Sequence, residues 1–294
     1  MTALLNRIKA RMTIHAHRRT RRLLDGDYSS VFHGHSLDFD DLRDYIPGDE
    51  IRDIDWKATA RHADPLVKRY VAHRRHILAL VVDTSRGFDA VTSAGADKRQ
   101  LAILMAGMTG YLAVRHGDDV MLIHGDAEHT LASPRKGSEA HLEHLLQQIL
   151  AEAGRTTDGS IDAQLQWIAG HITHRMLIVV ISDQAPLGPE AEATIRRLRA
   201  QHEILWITIT DADLARLGPA ATPFDVARAD VGLPSSVMAD PRVQAEFIVA
   251  EAERRQHRTD LLSKLGIAHT EVSEPEQALG SLHSLLWRHR RGSR

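Results

Sequence analysis

Two short apolar runs, ILALVV at 77–82 and MLIVVI at 176–181, lead into an aspartate at 83 and 183 and set the pattern of the chain. Runs of strand length with no polar position predict strands buried on both faces of a sheet. Between them, Leu101, Met105, Met108 and Leu112 recur at helical spacing from Lys98 to His116, and Gly117 supplies a stop. DVMLIH then predicts a strand, EHTLASP a shorter one with a turn, and HLEHLLQQIL and IDAQLQWIAGHI two helices. After the second apolar run, PEAEATIRRLRAQ predicts a helix and EILWITIT a strand. IAHTEV reads as a last strand between helices near 239–264 and 276–290. Upstream, PLVKRYVAHRR alternates as a strand with one covered face. Strands alternating with helices imply an α/β fold, a mainly parallel sheet with helices on both faces. Its working crevice lies beyond the carboxyl ends of the strands. Asp83 and Asp183 each stand at such an end, where an aspartate also serves as an ordinary cap.

The polar positions ahead of the first apolar strand are sorted by charge. Residues 1–22 hold seven Lys or Arg and no acid, whereas 25–55 hold ten acids and two arginines. LLNRIKARMTIHAHRRTRRLL can be drawn as a helix with Leu4, Ile8, Met12 and His15 on one side. It is expected to pack that stripe on the body; the alternative is an arm for nucleic acid or anionic lipid. In the acidic stretch GHSLDFDDLRDYIPGDEIRDIDWKATAR at 34–61, Pro47-Gly48 is a turn pair. Arg43, Arg52 and Arg61 are candidates to fork onto Asp44, Asp49, Asp53 and Asp55, and Tyr45 and Trp56 offer apolar faces expected to anchor the segment to the sheet domain. WRHRRGSR at 287–294 is expected to be a frayed tail. The chain then divides into a basic helix or arm at 1–24, a segment with short strands packed on the main domain at 25–75, and the sheet domain at 76–294.

Composition narrows the chemistry. At 294 residues and 43% hydrophobic content the chain can bury a core, and with no cysteine it has neither a disulfide framework nor a thiolate site. The longest apolar runs are six residues, far short of the roughly 20 of a membrane helix. The basic start lacks the apolar stretch of a secretory signal, so a cytoplasmic location is expected. Neither GxxxxGK[ST] nor GxGxxG occurs, so nucleotide hydrolysis is assigned to a partner. His33, His35 and Asp38 form an HxH-plus-Asp group of the kind metallo-hydrolases use, which keeps a metal-dependent hydrolase as an alternative. Most of the nineteen histidines are scattered and read as surface residues, His141 and His144 among them.

Two sets of residues carry a family resemblance. DTSRG at 83–87, Thr156-Thr157 and ISD at 181–183 resemble the metal-ion-dependent adhesion site of von Willebrand factor A domains, whose pattern is Asp-x-Ser-x-Ser with a distant Thr and a distant Asp. LRDYIPGDEIRDIDWKATAR, followed by VKRY and the DTS strand, resembles the bacterial domain-of-unknown-function family fifty-eight, associated with MoxR-type AAA+ ATPases. The resemblance implies a von Willebrand factor A-like, Rossmann-type fold behind an N-terminal signature segment. It also implies Mg²⁺ held by Asp83, Ser85, Thr156 or Thr157, and Asp183, with Gly87 standing where the second serine belongs. Arg43, Tyr45, Pro47, Gly48, Asp49, Arg52, Asp55, Trp56 and Arg61 become an interaction signature. The implied function is that of a non-enzymatic, chaperone-like adaptor working with a MoxR-type ATPase on the assembly, activation or metal insertion of a client protein. On this reading Asp83 and Asp183 emerge side by side and share a rim with the hydroxyls of Ser85 and Thr156 or Thr157.

Overall fold

The computed structural model describes residues 4–15, 24, 28, 42–46, 56–59, 65–68, 75–152, 159, 161–213, 226 and 240–292. Helix α1 (Leu4–His15) comes first, followed by strand β1 (Leu42–Asp44), the single turn α2 (Trp56–Thr59) and strand β2 (Leu66–Lys68). β1 and β2 pair antiparallel as a small ribbon of their own. The main sheet is built from β3 (Ile77–Asp83), β4 (Asp119–Gly125), β5 (Thr130–Ala132), β6 (Leu177–Ser182), β7 (Glu203–Ile209) and β8 (Ala268–Val272). Its order is β5-β4-β3-β6-β7-β8, parallel throughout except for β5 against β4. Counted within the sheet this is 3-2-1-4-5-6, the order of doubly wound Rossmann-type sheets. The von Willebrand factor A-like architecture implied by the resemblance is the one observed.

β3 and β6 are buried at every position. Each has a strand on both edges and helices over both faces, which leaves no position for a solvated side chain. Alternate residues go to two separate cores. Leu78, Leu80 and Val82 join a cluster with α1, α3 (Lys98–Arg115), α4 (Glu139–Ala151) and α8 (Ala278–Gly292). Ile77, Ala79 and Val81 join the other, under α5 (Asp162–His171), α6 (Pro189–Gln201) and α7 (Pro241–Lys264). Each fully buried Leu, Ile or Val contributes about 1.5–3 kcal/mol, so the two layers stabilise the sheet from both sides.

α3 is buried nearly all round because α1 and α4 cover the face it turns away from the sheet. Two glycines admit them. A Cβ on Gly110 would lie 2.6 Å from Leu142 Cδ1, and one on Gly107 would collide with Ile8 Cδ1. Leu4, Leu5, Ile8 and Met12 of α1 are buried, so the apolar stripe docks on the body as expected. Charge complements the docking: Glu143 accepts the N–H groups of Leu4 and Leu5 at 3.0 and 2.7 Å, where a carboxylate suits a helix N-terminus. Lys9 meets Glu139 at 2.9 Å, and Arg11 meets Glu276.

Three expectations are corrected. The segment from 287 does not fray: α8 runs to Gly292, His289 is buried, and the Arg291 guanidinium stacks 4.6 Å from the Trp287 ring centre. Tyr45, just after β1, and Trp56, at the start of α2, are not buried anchors, for both side chains are exposed. Nor are the histidines all at the surface: His124, His141, His202 and His289 are buried, because the elements carrying them are covered on the faces that hold them. Of the alternating strand expected over 65–75, residues 66–68 form β2, with Leu66 buried, and 69–74 lie outside the described residues. No described helix is long and apolar enough to cross a membrane.

Candidate functional site

The chain leaves β3 toward β4 on one side and later returns as β6 on the other, so the crevice opens between the carboxyl ends of β3 and β6. Val82 pairs with Ile181 in this register, which places Asp83 and Asp183 at neighbouring strand ends. Asp83 Oδ1 accepts the Ser85 N–H at 2.9 Å. Its Oδ2 is buried and accepts no hydrogen bond of ordinary geometry among the described residues. Burial, together with the nearby Asp183 carboxylate, pushes the Asp83 pKa up to about 7, against the opposing pull of Ser85 and of the Lys98 charge. Asp183 Oδ1 accepts the Ala185 N–H at 2.8 Å, and its Oδ2 faces the Lys98 ammonium at 3.3 Å. A third carboxylate, Asp211 just beyond β7, closes on the same ammonium, and its N–H donates to Gln184 Oε1 at 2.7 Å. Burial alone would lower the Lys98 pKa; the charges of Asp183 and Asp211 outweigh it and hold the group above its ordinary value, charged.

Buried basic residues fix the loops around this rim. After Ser85 the chain makes a 3-10 turn over Arg86–Asp89, which buries Phe88 with its ring centre 5.1 Å from Lys98 Nζ. Arg99 pairs with Asp89 at 2.8 Å and donates at 3.3–3.4 Å to the carbonyls of Thr84, Ser85 and Ile149. A planar guanidinium carries five donors in a fixed fork, enough for the Asp89 carboxylate and three carbonyls together, where an ammonium carries three. Arg258 reaches from α7 to the carbonyls of Gln184 and Ala185, behind Asp183. Thr84 donates through its N–H and hydroxyl to Gly125 O at 3.1 and 3.2 Å. Gly125 has φ +152°, and a Cβ there would strike the His129 carbonyl, so only glycine closes β4 in this way. Gly159 packs against Ser85, with a Cβ position 3.0 Å from that of the serine.

The structure brings Asp83, Ser85 and Asp183 together. Thr156 and Thr157 lie outside the described residues, as do His33, His35, Asp38, Pro47, Gly48, Asp49, Arg52, Asp53, Asp55 and Arg61. The backbone of Arg43 lies in β1. The described donors do not fit a resident Mg²⁺, which demands about six oxygens in near-octahedral array. Asp183 Oδ2 is engaged by an ammonium, Gly87 has no hydroxyl, and a Cβ on Gly87 would lie 2.9 Å from Asp183 Oδ2. Among the described residues, no group of three or more histidine and carboxylate side chains converges to hold a metal ion. The sequence reading missed Lys98, Asp211, Arg99 and Arg258. Asp211 follows the same strand-end rule as Asp83 and Asp183. Lys98 and Arg99 also leave a signal: two cations open a helix, where the macrodipole disfavours them, and such a placement calls for buried anions nearby.

An uncharacterized protein of Mycobacterium tuberculosis H37Rv and one of Mycobacterium bovis are each 29% identical over 243 residues, 81% of this chain and 74% of theirs. Among solved structures, the conserved hypothetical protein BatB from Bacteroides thetaiotaomicron aligns over 74% of this chain and 99% of its own, at 10% identity and a TM-score of 0.44. A von Willebrand factor type A protein from Catenulispora acidiphila aligns over 75% of this chain and 43% of its own, at 7% identity and a TM-score of 0.41. The pilus adhesin SpaC from Lactobacillus rhamnosus GG aligns over 75% of this chain at 9% identity and a TM-score of 0.43, and this chain spans 30% of the adhesin. These likenesses concern the fold alone. Residues 41–258, from the ribbon through the rim to Arg258, match the family described as "Protein of unknown function DUF58", and the chain belongs to that family.

Proposed function

We propose that this protein is a non-enzymatic, cytoplasmic interaction adaptor that works with a MoxR-type AAA+ ATPase in the assembly, activation or metal insertion of a client protein. The observation that carries this reading is the exposure of Trp56, Ile46 and Tyr45, at 64%, 59% and 36%, in an otherwise acidic segment. Large apolar side chains presented to solvent mark a contact surface, and aromatic residues of this type dominate binding energy when a partner covers them. The rim of Asp83, Ser85 and Asp183 is a second contact, a degenerate adhesion site whose loops are held by Arg99 and Arg258. Such a rim supplies charge and hydrogen bonds for recognition.

Capture on a tagged MoxR-type ATPase tests the reading. Wild type is retained, and Trp56→Ala weakens retention about tenfold or more, the effect of removing a central aromatic anchor. Asp83→Ala in the same assay separates the contribution of the rim from that of the ribbon. If the ATPase retains neither wild type nor variant, the proposal fails.

A further inference from the structure

Lys98 is the one component of the rim that an adhesion site has no evident use for. Its side chain is 1% exposed, it opens α3 at the end where the helix dipole opposes a cation, and it has been drawn in over the Phe88 ring. An isolated ammonium in such a place is strongly unfavourable; this one is held by Asp183 Oδ2 at 3.3 Å and by Asp211 on its other side. Gly87 belongs to the same arrangement. A Cβ there would lie 2.9 Å from Asp183 Oδ2, so its absence leaves the carboxylate free to turn to the lysine. We propose that the Lys98 ammonium, held between Asp183 and Asp211 beside Asp83, is the resident cation of this rim, in the role a divalent ion would otherwise fill. The site is then independent of metal. The inference concerns the same rim as the adaptor reading and involves neither the ATPase nor a client, so either can fail alone.

The test uses the full chain stripped with EDTA, as wild type, Lys98→Met and Asp83→Asn, each melted with and without millimolar Mg²⁺ or Mn²⁺. Methionine keeps the unbranched stem beside Phe88. Wild type is expected to melt at the same temperature in all media. Lys98→Met is expected to melt several degrees earlier in every medium, since it leaves Asp183 and Asp211 without the cation between them. A wild-type Tm that rises with Mg²⁺ and stops rising in Asp83→Asn overturns the proposal, since a ligand that binds only the folded state raises Tm, as does a folded Lys98→Met that melts with wild type. Should Lys98→Met fail to fold in any medium, titration of wild type with Mn²⁺ followed by electron paramagnetic resonance decides. Saturable binding that Asp83→Asn abolishes counts against the proposal, and no Asp83-dependent binding supports it.

Discussion

Asp83 sits on the strand end next to Asp183, buried, with one oxygen bonded to the Ser85 N–H. Asparagine would keep that bond and remove the charge that faces Asp183. Asp83→Asn is therefore expected to raise stability at neutral pH by about 1–3 kcal/mol, read from the urea midpoint. A gain in stability with weaker capture on the ATPase is the pattern of a residue kept for recognition; a loss of stability would show that the ionised form is well compensated. His202, between α6 and β7, is a second buried titratable group, and neither ring nitrogen has a partner among the described residues. Burial lowers its pKa below the ordinary 6.5, with His174 and Arg175 adding repulsion. The unfolded chain therefore takes up a proton at a pH where the folded chain still refuses it, and stability is lost as pH falls through 6.5 and below. Leucine has no proton to take up and leaves no polar atom unpaired. His202→Leu should be more stable than wild type by about 1 kcal/mol at alkaline pH. The difference should widen steadily in melts below pH 6.5; a constant difference would mean that the imidazole protonates freely.

At the scale of elements, α1 shows how packing decides the meaning of a basic sequence. Its apolar stripe fills the space left by Gly107, while Arg7 faces solvent and Lys9 and Arg11 pair with acids of the body. Ile8→Ala is expected to destabilise by about 2–4 kcal/mol, as large-to-small changes in a closed core do, and Arg7→Ala by less than about 0.5 kcal/mol. Chemical denaturation of the two variants checks this. The reverse ranking would make α1 a loosely attached arm. The start of α3 makes a similar point about the site: the Asp97 side chain accepts the Gln100 N–H at 2.8 Å and caps the helix. The helix therefore begins where Lys98 and Arg99 point into the rim, one toward carboxylates and the other toward carbonyls.

For the molecule as a whole, the layering orders the stability of its parts. β3 and β6 are central on both edges and under both cores, so their amides should exchange with solvent deuterium only on global unfolding. β5 is a short edge strand, partly solvated, and should open earlier. The first part of α7 should exchange fastest of the long helices, because burial in that helix begins only at Arg258. Hydrogen exchange read by mass spectrometry checks the sequence β3 and β6, then β5, then residues 241–257; protection of 241–257 equal to that of β3 would contradict the layering.

The doubly wound sheet was legible in the residues because a strand buried on both faces allows no solvated position, and the unbroken apolar runs ILALVV and MLIVVI state that outright. The crevice was legible too, since strand ends in such a sheet converge and Asp83 and Asp183 mark two of them. The partners of those aspartates were not. A hydroxyl, a metal or an ammonium each satisfies a buried carboxylate, and local sequence does not say which approaches. Packing of α3 against the sheet delivers Lys98 to Asp183, and the return of the chain after β7 delivers Asp211 to the other side of the same ammonium. Strand identity follows from local burial pattern and can be read along the chain; charge pairing across residues far apart depends on where distant elements come to rest, so only the tertiary structure decided it.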